Sequence, residues 1–362
     1  MVKLTMSHRN NIIKLPGLAD PHVHFREPGA THKEDFSTGT KAAIAGGYTQ
    51  VLDMPNNQPP TITPTTLENK IKLAKGKIWC DVGFNFGGTA SSAKYFKKVY
   101  KKVFGVKVYM NHTTGPLLID KLKEREIIFK SWTSPLPVMV HAEGETVEVA
   151  IKLAKKYQKN LHVCHVTADQ LPAIEKAKKE GVVITSEVTP HHLFLSKKDM
   201  ARLGPYGMMK PPLLSKSDQQ KLWKNIDKID VIATDHAPHT KEEKEDKSSA
   251  KYGVPGLETT LPLMFDAIAR GMTTTERLIE MISTNPRRIF HLPQQLDTFV
   301  LLDFSKTFKI SKDKLFTKCA WTPFEGMSGR GEVKKVVMRG KTVFQDGGFV
   351  GRPSGKVIYP EL

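Results

Sequence analysis

The sequence predicts an α/β fold: a closed (β/α)8 barrel with a small β add-on formed mainly by the C-terminal segment. Three observations carry this expectation. Eight short apolar or β-branched runs recur along the chain, each followed by a segment with helical patterning, the signature of βαβ units and a parallel sheet. No glycine-rich dinucleotide loop follows the first run, which disfavours a doubly wound open sheet. The length of 362 residues suits a barrel of roughly 250 residues with an appendage.

In chain order the predicted strands are LADPHVHF (18–25), TQVLDMP (49–55), IWCDVGFNF (78–86), GVKVYMN (105–111), LPVMVHAE (136–143), LHVCHV (161–166), VVITSEVTP (182–190) and DVIATDHAP (230–238). EDFSTGTKAAIAGG after the first and TVEVAIKLAKKY after the fifth have helical patterning. Beyond residue 257 the pattern is helical, in LETTLPLMFDAIARG and TTTERLIEMISTNPRRIF, and from about 296 it returns to short strands, DTFVLLDF and GEVKKVVMRGKTVFQDGGFV. The chain therefore divides into an N-terminal extension (1–17), a barrel (18–295) and a β add-on packed on the barrel (296–362). The most loop-like stretch is the charged, Gly/Pro-containing run 241–256.

A hydrophobic share of 39% and a charged share of 25% suit a soluble globular protein. No apolar run approaches the roughly 20 residues of a membrane span, and the N-terminus lacks the apolar region of a signal peptide. Three cysteines, Cys80, Cys164 and Cys319, are too few and odd in number for a disulfide framework, which points to a reducing, cytoplasmic setting. The net charge of +18 is scattered over amphipathic segments such as 94–103 and 175–180 rather than joined to a nucleic-acid-binding signature. It reads as a solvated lysine-rich surface, with neither nucleic acid nor membrane as a partner.

Placed on these strands, the polar residues converge. His22 and His24 close the first strand, Lys107 lies in the fourth, and His141, His165 and Asp235 end the fifth, sixth and eighth. In a barrel of this kind the C-terminal strand ends form the active-site mouth. His-x-His puts both imidazoles on one face of a strand, because side chains alternate with period two. Each residue taken alone has a bland reading: a chance histidine pair, a structural strand-end histidine, a misassigned strand around Lys107. Lys107 is the oddest, since between Val106 and Val108 it carries a charge into a core. A lysine carbamylated by CO2 removes that cost and becomes a two-oxygen anionic ligand. Imidazole and oxygen ligands suit Zn2+ best among common ions. Two such ions a few ångströms apart lower the pKa of a water between them, and Asp235 could both bind metal and relay a proton. Such a set hydrolyses unactivated amides, or closes them in reverse.

DPHVHFREPG (20–29), MPN (54–56), VHAE (140–143), CHV (164–166), EVTPHHLFLS (187–196), TDHAPH (234–239) and GLETTLPL (256–263) resemble dihydroorotase of the amidohydrolase superfamily. THKEDFSTGT (31–40), NPRRIFHLP (285–293) and WTPFEG (321–326) are similar, more specifically, to the dihydroorotase domain of the animal-type multifunctional protein. There the domain is fused to carbamoyl-phosphate synthetase and aspartate transcarbamoylase. The resemblance implies a cyclic amide hydrolase, acting on C–N bonds other than peptide bonds, that interconverts N-carbamoyl-L-aspartate and L-dihydroorotate in pyrimidine biosynthesis. It implies two zinc ions on His22, His24, carboxylated Lys107, His141, His165 and Asp235, with Asp235 as general acid/base. It implies substrate contacts from Arg26, Asn56, His239 and the loop residue Thr113, and a homodimer. It also implies a third zinc on Cys164, Glu187 and one histidine of the His-x-His pair. In a regular strand Cys164 would point away from His165, and a small buried hydrophobe is an equal reading of it.

Two positions depart from the family pattern. Lys210 stands where a substrate-binding arginine is expected, which keeps the charge but loses the bidentate fork. Thr114 stands where the mobile loop should carry phenylalanine, which puts loop closure in question. Two other readings remain. One is a hydantoinase, dihydropyrimidinase or allantoinase, which shares the barrel and most ligands and is distinguished at Arg26 and Asn56. The other is an inactive dihydroorotase-like structural module, against which the complete ligand set speaks.

Overall fold

The computed structural model describes residues 6–7, 11–246, 248 and 250–362. The strands, numbered in chain order, are β1 (Met6–Ser7), β2 (Ile12–Pro16), β3 (Leu18–Val23), β4 (Tyr48–Asp53), β5 (Asp81–Phe84), β6 (Phe86–Gly87) and β7 (Val106–Tyr109). They continue with β8 (Val138–His141), β9 (Leu161–Val163), β10 (Ile184–Val188), β11 (Val231–Ile232), β12 (Phe299–Lys309), β13 (Ser328–Met338), β14 (Lys341–Gln345) and β15 (Gly348–Phe349).

Strands β3 to β11 form the barrel, all paired in parallel. β5 pairs with β4 and β6 pairs with β7, so the predicted third strand is one extended segment interrupted at Asn85. The ring closes between Val23 and His236, which form a parallel bridge, and the amide of His24 donates to the carbonyl of His236 at 2.8 Å. The barrel strands are almost wholly buried, as expected of parallel strands covered by helices. The helices form where capping signals precede apolar spacing. Asp35 caps Phe36–Ala45, accepting from the Thr38 amide at 2.9 Å, and Thr63 caps Pro64–Ala74, with proline in the first turn. Gly39 lets the first of these helices lie directly on Phe25, for a Cβ there would come within 2.3 Å of the ring.

Strands β1, β2, β12, β13, β14 and β15 make one antiparallel sheet in that order. Four of its strands are C-terminal, and the residues just before the barrel supply the other two. β2 pairs with β12 through Pro16 to Ile12, so the chain passes from the add-on sheet into the barrel within two residues. Leu15, Val300, Leu302, Val336 and Phe344 of this sheet belong to the same apolar core as the barrel.

Several expected boundaries shift. Regular strand ends at Val23 rather than Phe25, and β11 spans only Val231–Ile232. The run 241–256 is not loop throughout. Thr240 caps a helical turn, Lys241–Glu245, and Val254 bridges His236. Lys244 within it is fully buried, its amine donating to the carbonyls of Met208 (2.9 Å), Lys251 (2.8 Å) and Gly253 (3.1 Å). Residues 247 and 249 of that run lie outside the described residues.

Candidate active site

The strand ends meet in a small cavity lined by His22, His24, Arg26, Asn56, Lys107, Tyr109, Thr113, Thr114, His141, His165, Lys210, Asp235, Ala237, Tyr252 and Gly253. Two donor groups form around His22. His22, His24 and Asp235 offer ligand atoms within 4.8 Å of one another, and so do His22, Cys164 and Glu187. Asp235 Oδ1 lies 3.0 Å from His24 Nε2 and 3.3 Å from His22 Nε2.

The hydrogen bonds orient the imidazoles. His24 Nδ1 lies 2.7 Å from Asn56 Oδ1, and His22 Nδ1 meets Glu187 Oε1 in a short contact. Both partners are acceptors, so the proton sits on Nδ1 and each Nε2 turns its lone pair toward the shared centre. His141 Nε2 likewise faces Glu143 Oε1 at 3.1 Å, which aims Nδ1 at His165 Nε2, 2.9 Å away. Glu187 Oε2 is held by His162 Nε2 at 3.0 Å.

Electrostatics follow burial. Burial acts to raise the Asp235 carboxyl, but His22, His24 and His165 override it and hold it well below the usual carboxylate range. Burial, then the neighbouring His141 and Lys107, push His165 well below the ordinary histidine range. Burial lowers His141 too, against the pull of Glu143. Burial pushes the Cys164 thiol above its usual range, with Glu187 reinforcing it. His141 and His165 are thus neutral, lone-pair donors, as ligation requires.

Lys107 is fully buried, and its amine has no hydrogen-bond partner. It meets the Tyr109 ring at 5.4 Å. His165 Nδ1 and His191 Nε2 are also buried without partners. An unpartnered amine facing imidazoles costs several kcal/mol, and conversion to an anion that binds cations removes the cost. The donor set and this orphaned amine fit a metal centre.

The predicted metal residues therefore come together, although not all by regular strand geometry. β9 ends at Val163, so Cys164 escapes the alternation that would turn it away, and it faces His22 and Glu187. His165 has φ 35° and Asp235 φ 46°, so both leave the extended path as they enter the site. Among the predicted substrate residues, Arg26, Asn56, Thr113 and Lys210 line the cavity. Arg26 reaches it with φ 62°, not by continued strand; its Nε donates to the Pro238 carbonyl at 3.0 Å. His239 stands behind this arginine, 3.1 Å from its Nη2, fully buried and bonded to Glu243 (3.3 Å) and to the Tyr252 carbonyl (2.9 Å). Tyr109, Tyr252 and Gly253 complete the wall without having been anticipated. Only Tyr109 left a trace in the sequence, as the second residue after Lys107 on the same strand face.

The amidohydrolase family model matches residues 13–343. The chain belongs to the amidohydrolase family. Among curated relatives, this amidohydrolase is 44% identical over 348 residues to multifunctional protein pyr1-3 of Dictyostelium discoideum, covering 95% of this chain and 16% of that protein. It is 43% identical to multifunctional protein CAD of Squalus acanthias, covering 94% and 15%. It thus spans about a sixth of the length of these two relatives. The dihydroorotase of Pyrococcus abyssi is 37% identical, with 96% of this chain and 88% of that protein covered. Among solved structures, L-hydantoinase from Arthrobacter aurescens superposes with TM-score 0.91 at 25% identity, over 96% and 88% of the two chains. An inactive dihydroorotase-like domain of a Chaetomium thermophilum CAD-like multifunctional protein superposes with TM-score 0.82 at 25% identity, over 96% and 99%. Among the described residues, no helix is long and apolar enough to cross a membrane.

Because the fully buried Lys107 amine has no hydrogen-bond partner, Lys107→Ala is expected to lose most bound divalent metal, read by elemental analysis after dialysis, and nearly all activity. Short carboxylic acids such as acetate are expected to restore part of both. Wild-type metal content in the variant would remove Lys107 from the centre.

Proposed function

We propose that this amidohydrolase is a dihydroorotase, interconverting N-carbamoyl-L-aspartate and L-dihydroorotate in pyrimidine biosynthesis. The observation that carries this reading is Arg26. Its guanidinium lines the cavity beside His22, His24 and Asp235, where a planar fork matches the carboxylate that both substrates carry next to the reacting amide. Neutral hydantoins and dihydrouracil have no group for it. The Pyrococcus abyssi dihydroorotase, 37% identical across most of both chains, supports the same substrate.

Two zinc ions would be held by His22, His24, carboxylated Lys107, His141, His165 and Asp235, and a third by Cys164, Glu187 and His22, whose Nδ1 would give up its proton on binding. When bound, such ions polarise the amide carbonyl and acidify water. The chain's own residues do the rest. Arg26, Lys210 and Asn56 hold the substrate's carboxylate and polar edges, and His239 braces Arg26 from behind. The loop at Thr113 and Thr114 covers the pocket: the Thr114 carbonyl accepts from Asn56 Nδ2 at 3.0 Å and its hydroxyl donates to the Tyr252 carbonyl at 3.2 Å. In the hydrolytic direction a water oxygen bonds to the ring carbonyl carbon and the C–N bond breaks. Asp235, ionised and turned toward the cavity, takes the water's proton and delivers it to the leaving nitrogen. Cyclisation reverses these transfers.

The chain works as a homodimer in the cytoplasm, a setting in keeping with three buried free cysteines, and its larger relatives suggest fusion to or association with carbamoyl-phosphate synthetase and aspartate transcarbamoylase. Sedimentation should give twice the chain mass at micromolar concentration; a monomer independent of concentration rejects the dimer.

Asp235→Asn is expected to lower kcat roughly 100- to 10,000-fold, since the amide fills the same space but carries no proton. Near-normal turnover by the metal-loaded variant would take Asp235 out of proton transfer. For Arg26→Met the expected loss is about 2–5 kcal/mol in binding of dihydroorotate, with metal content unchanged. Unaltered dihydroorotate kinetics would instead favour a hydantoinase.

A further inference from the structure

Lys70 belongs to none of the motifs that build the site. It lies on the helix Pro64–Ala74 outside the barrel, where lysines ordinarily face water, yet it is fully buried. Its ammonium is matched to three acceptors: Asp53 Oδ2 at 2.6 Å, the Met54 carbonyl at 2.7 Å and Asn57 Oδ1 at 2.5 Å. The first is an ion pair and the other two are hydrogen bonds.

Each acceptor reaches onward to the substrate wall. The other oxygen of Asp53 accepts from the amide of Phe25 at 2.8 Å. Asn57 Nδ2 donates to the carbonyl of Glu27 at 3.1 Å. Arg26 sits between those two anchored residues, in the left-handed region at φ 62° that a residue with a side chain rarely adopts. Met54 and Asn57 flank Asn56, whose Oδ1 meets His24 and whose Nδ2 meets the Thr114 carbonyl. A buried ion pair contributes little net stability compared with an apolar pair of the same volume. What this one does is join the segments 25–27 and 53–57 through a single charge.

We infer that Lys70 is a positioning residue for substrate recognition: through Asp53 and Asn57 it holds Arg26 in its left-handed conformation and sets Asn56 against the carboxylate end of the substrate. The inference rests on the dihydroorotase reading, because it assigns Arg26 and Asn56 to that substrate.

The test is a mutant cycle on the metal-loaded full chain with dihydroorotate as substrate: wild type, Lys70→Met, Arg26→Met and the double variant. Lys70→Met is expected to raise KM roughly 10- to 100-fold, the usual cost of an ångström-scale misplacement, with a smaller change in kcat and wild-type metal content. In the Arg26→Met background the same change should raise KM several-fold less than it does in the wild type, because Arg26 is gone and only the effect through Asn56 remains. A merely structural role would lower the melting temperature in both backgrounds and multiply the two KM penalties, and that result overturns the inference. An unchanged KM in Lys70→Met overturns it too. If Lys70→Met does not fold, Asn57→Ala, which leaves the ion pair with Asp53 in place but removes both the Lys70 hydrogen bond and the link to Glu27, should raise KM in the same direction; no rise rejects the proposal. Failure of the wild type to turn over dihydroorotate strikes the functional reading itself and is read before any variant.

Discussion

The site exists because the barrel closes where it does. The amide of His24 donates to the carbonyl of His236, and the bridge from Val23 to His236 brings the first strand against the last. One layer below, the Asp20 carboxylate fastens the same seam. It accepts from the His22 amide at 3.0 Å and from the Thr234 hydroxyl at 2.5 Å, so a single buried group binds both strands. With the seam at this register, Asp235 turns into the cavity beside His22 and His24, and His236 lies 3.4 Å from Glu34. A shift of the seam would move the carboxylate away from the two imidazoles. The contact between residues more than two hundred positions apart is therefore the constraint on which the donor set depends.

Closure alone does not aim the side chains. Past the last ladder bond each strand must turn away, and at three places the turn is made by a residue with a side chain in the left-handed region: Arg26, His165 and Asp235. Each such conformation costs about 1 kcal/mol or more and persists only where the surroundings hold it. Here the surroundings are identifiable. Arg26 is fixed by the Asp53, Asn57 and Pro238 contacts, His165 by the Glu187 contact to its amide at 3.3 Å, and Asp235 by the neighbouring seam. The strain gathers where two imidazole pairs, a carboxylate and a guanidinium must share one small volume, as expected when a site is preorganised.

Much of this was legible in the sequence, for a physical reason. Strand alternation is local, so His22 and His24 had to share a face, and Lys107 between two valines had to be buried. The eight runs recurred with helical segments between them because each βαβ unit is nearly self-contained. What escaped notice depends on distant contacts. Cys164 faces His22 because β9 stops three residues earlier than its composition suggests. Lys244 looked like part of a solvated charge run, but three carbonyls from separate turns receive its amine. Residues 12–16 read as part of an N-terminal extension, and pairing with β12 makes them a strand of the add-on sheet. His239, which the motif placed on the substrate, stands behind Arg26, because Tyr252 and Gly253 occupy the wall in front of it.

The two departures from the family pattern acquire a physical meaning in this framework. The link from the mobile loop to Asn56 uses the carbonyl of Thr114, not its side chain, so replacing an aromatic residue there leaves it intact. The threonine hydroxyl adds a bond to the Tyr252 carbonyl, so the loop is tied by polar contacts on both sides instead of by an apolar cap. Lys210 stands with its ammonium 5.2 Å from the Tyr252 ring. On the dihydroorotase reading it would supply charge without a plane, so geometric selection of a carboxylate would fall to Arg26 alone. Specificity would then rest on one guanidinium whose backbone is strained, with buried polar structure, Asp53, Asn57 and Lys70 among it, gathered behind that residue. A scaffold shared with hydantoinases and with an inactive relative sets no substrate by itself. On that reading the choice lies in how firmly this one arginine is held.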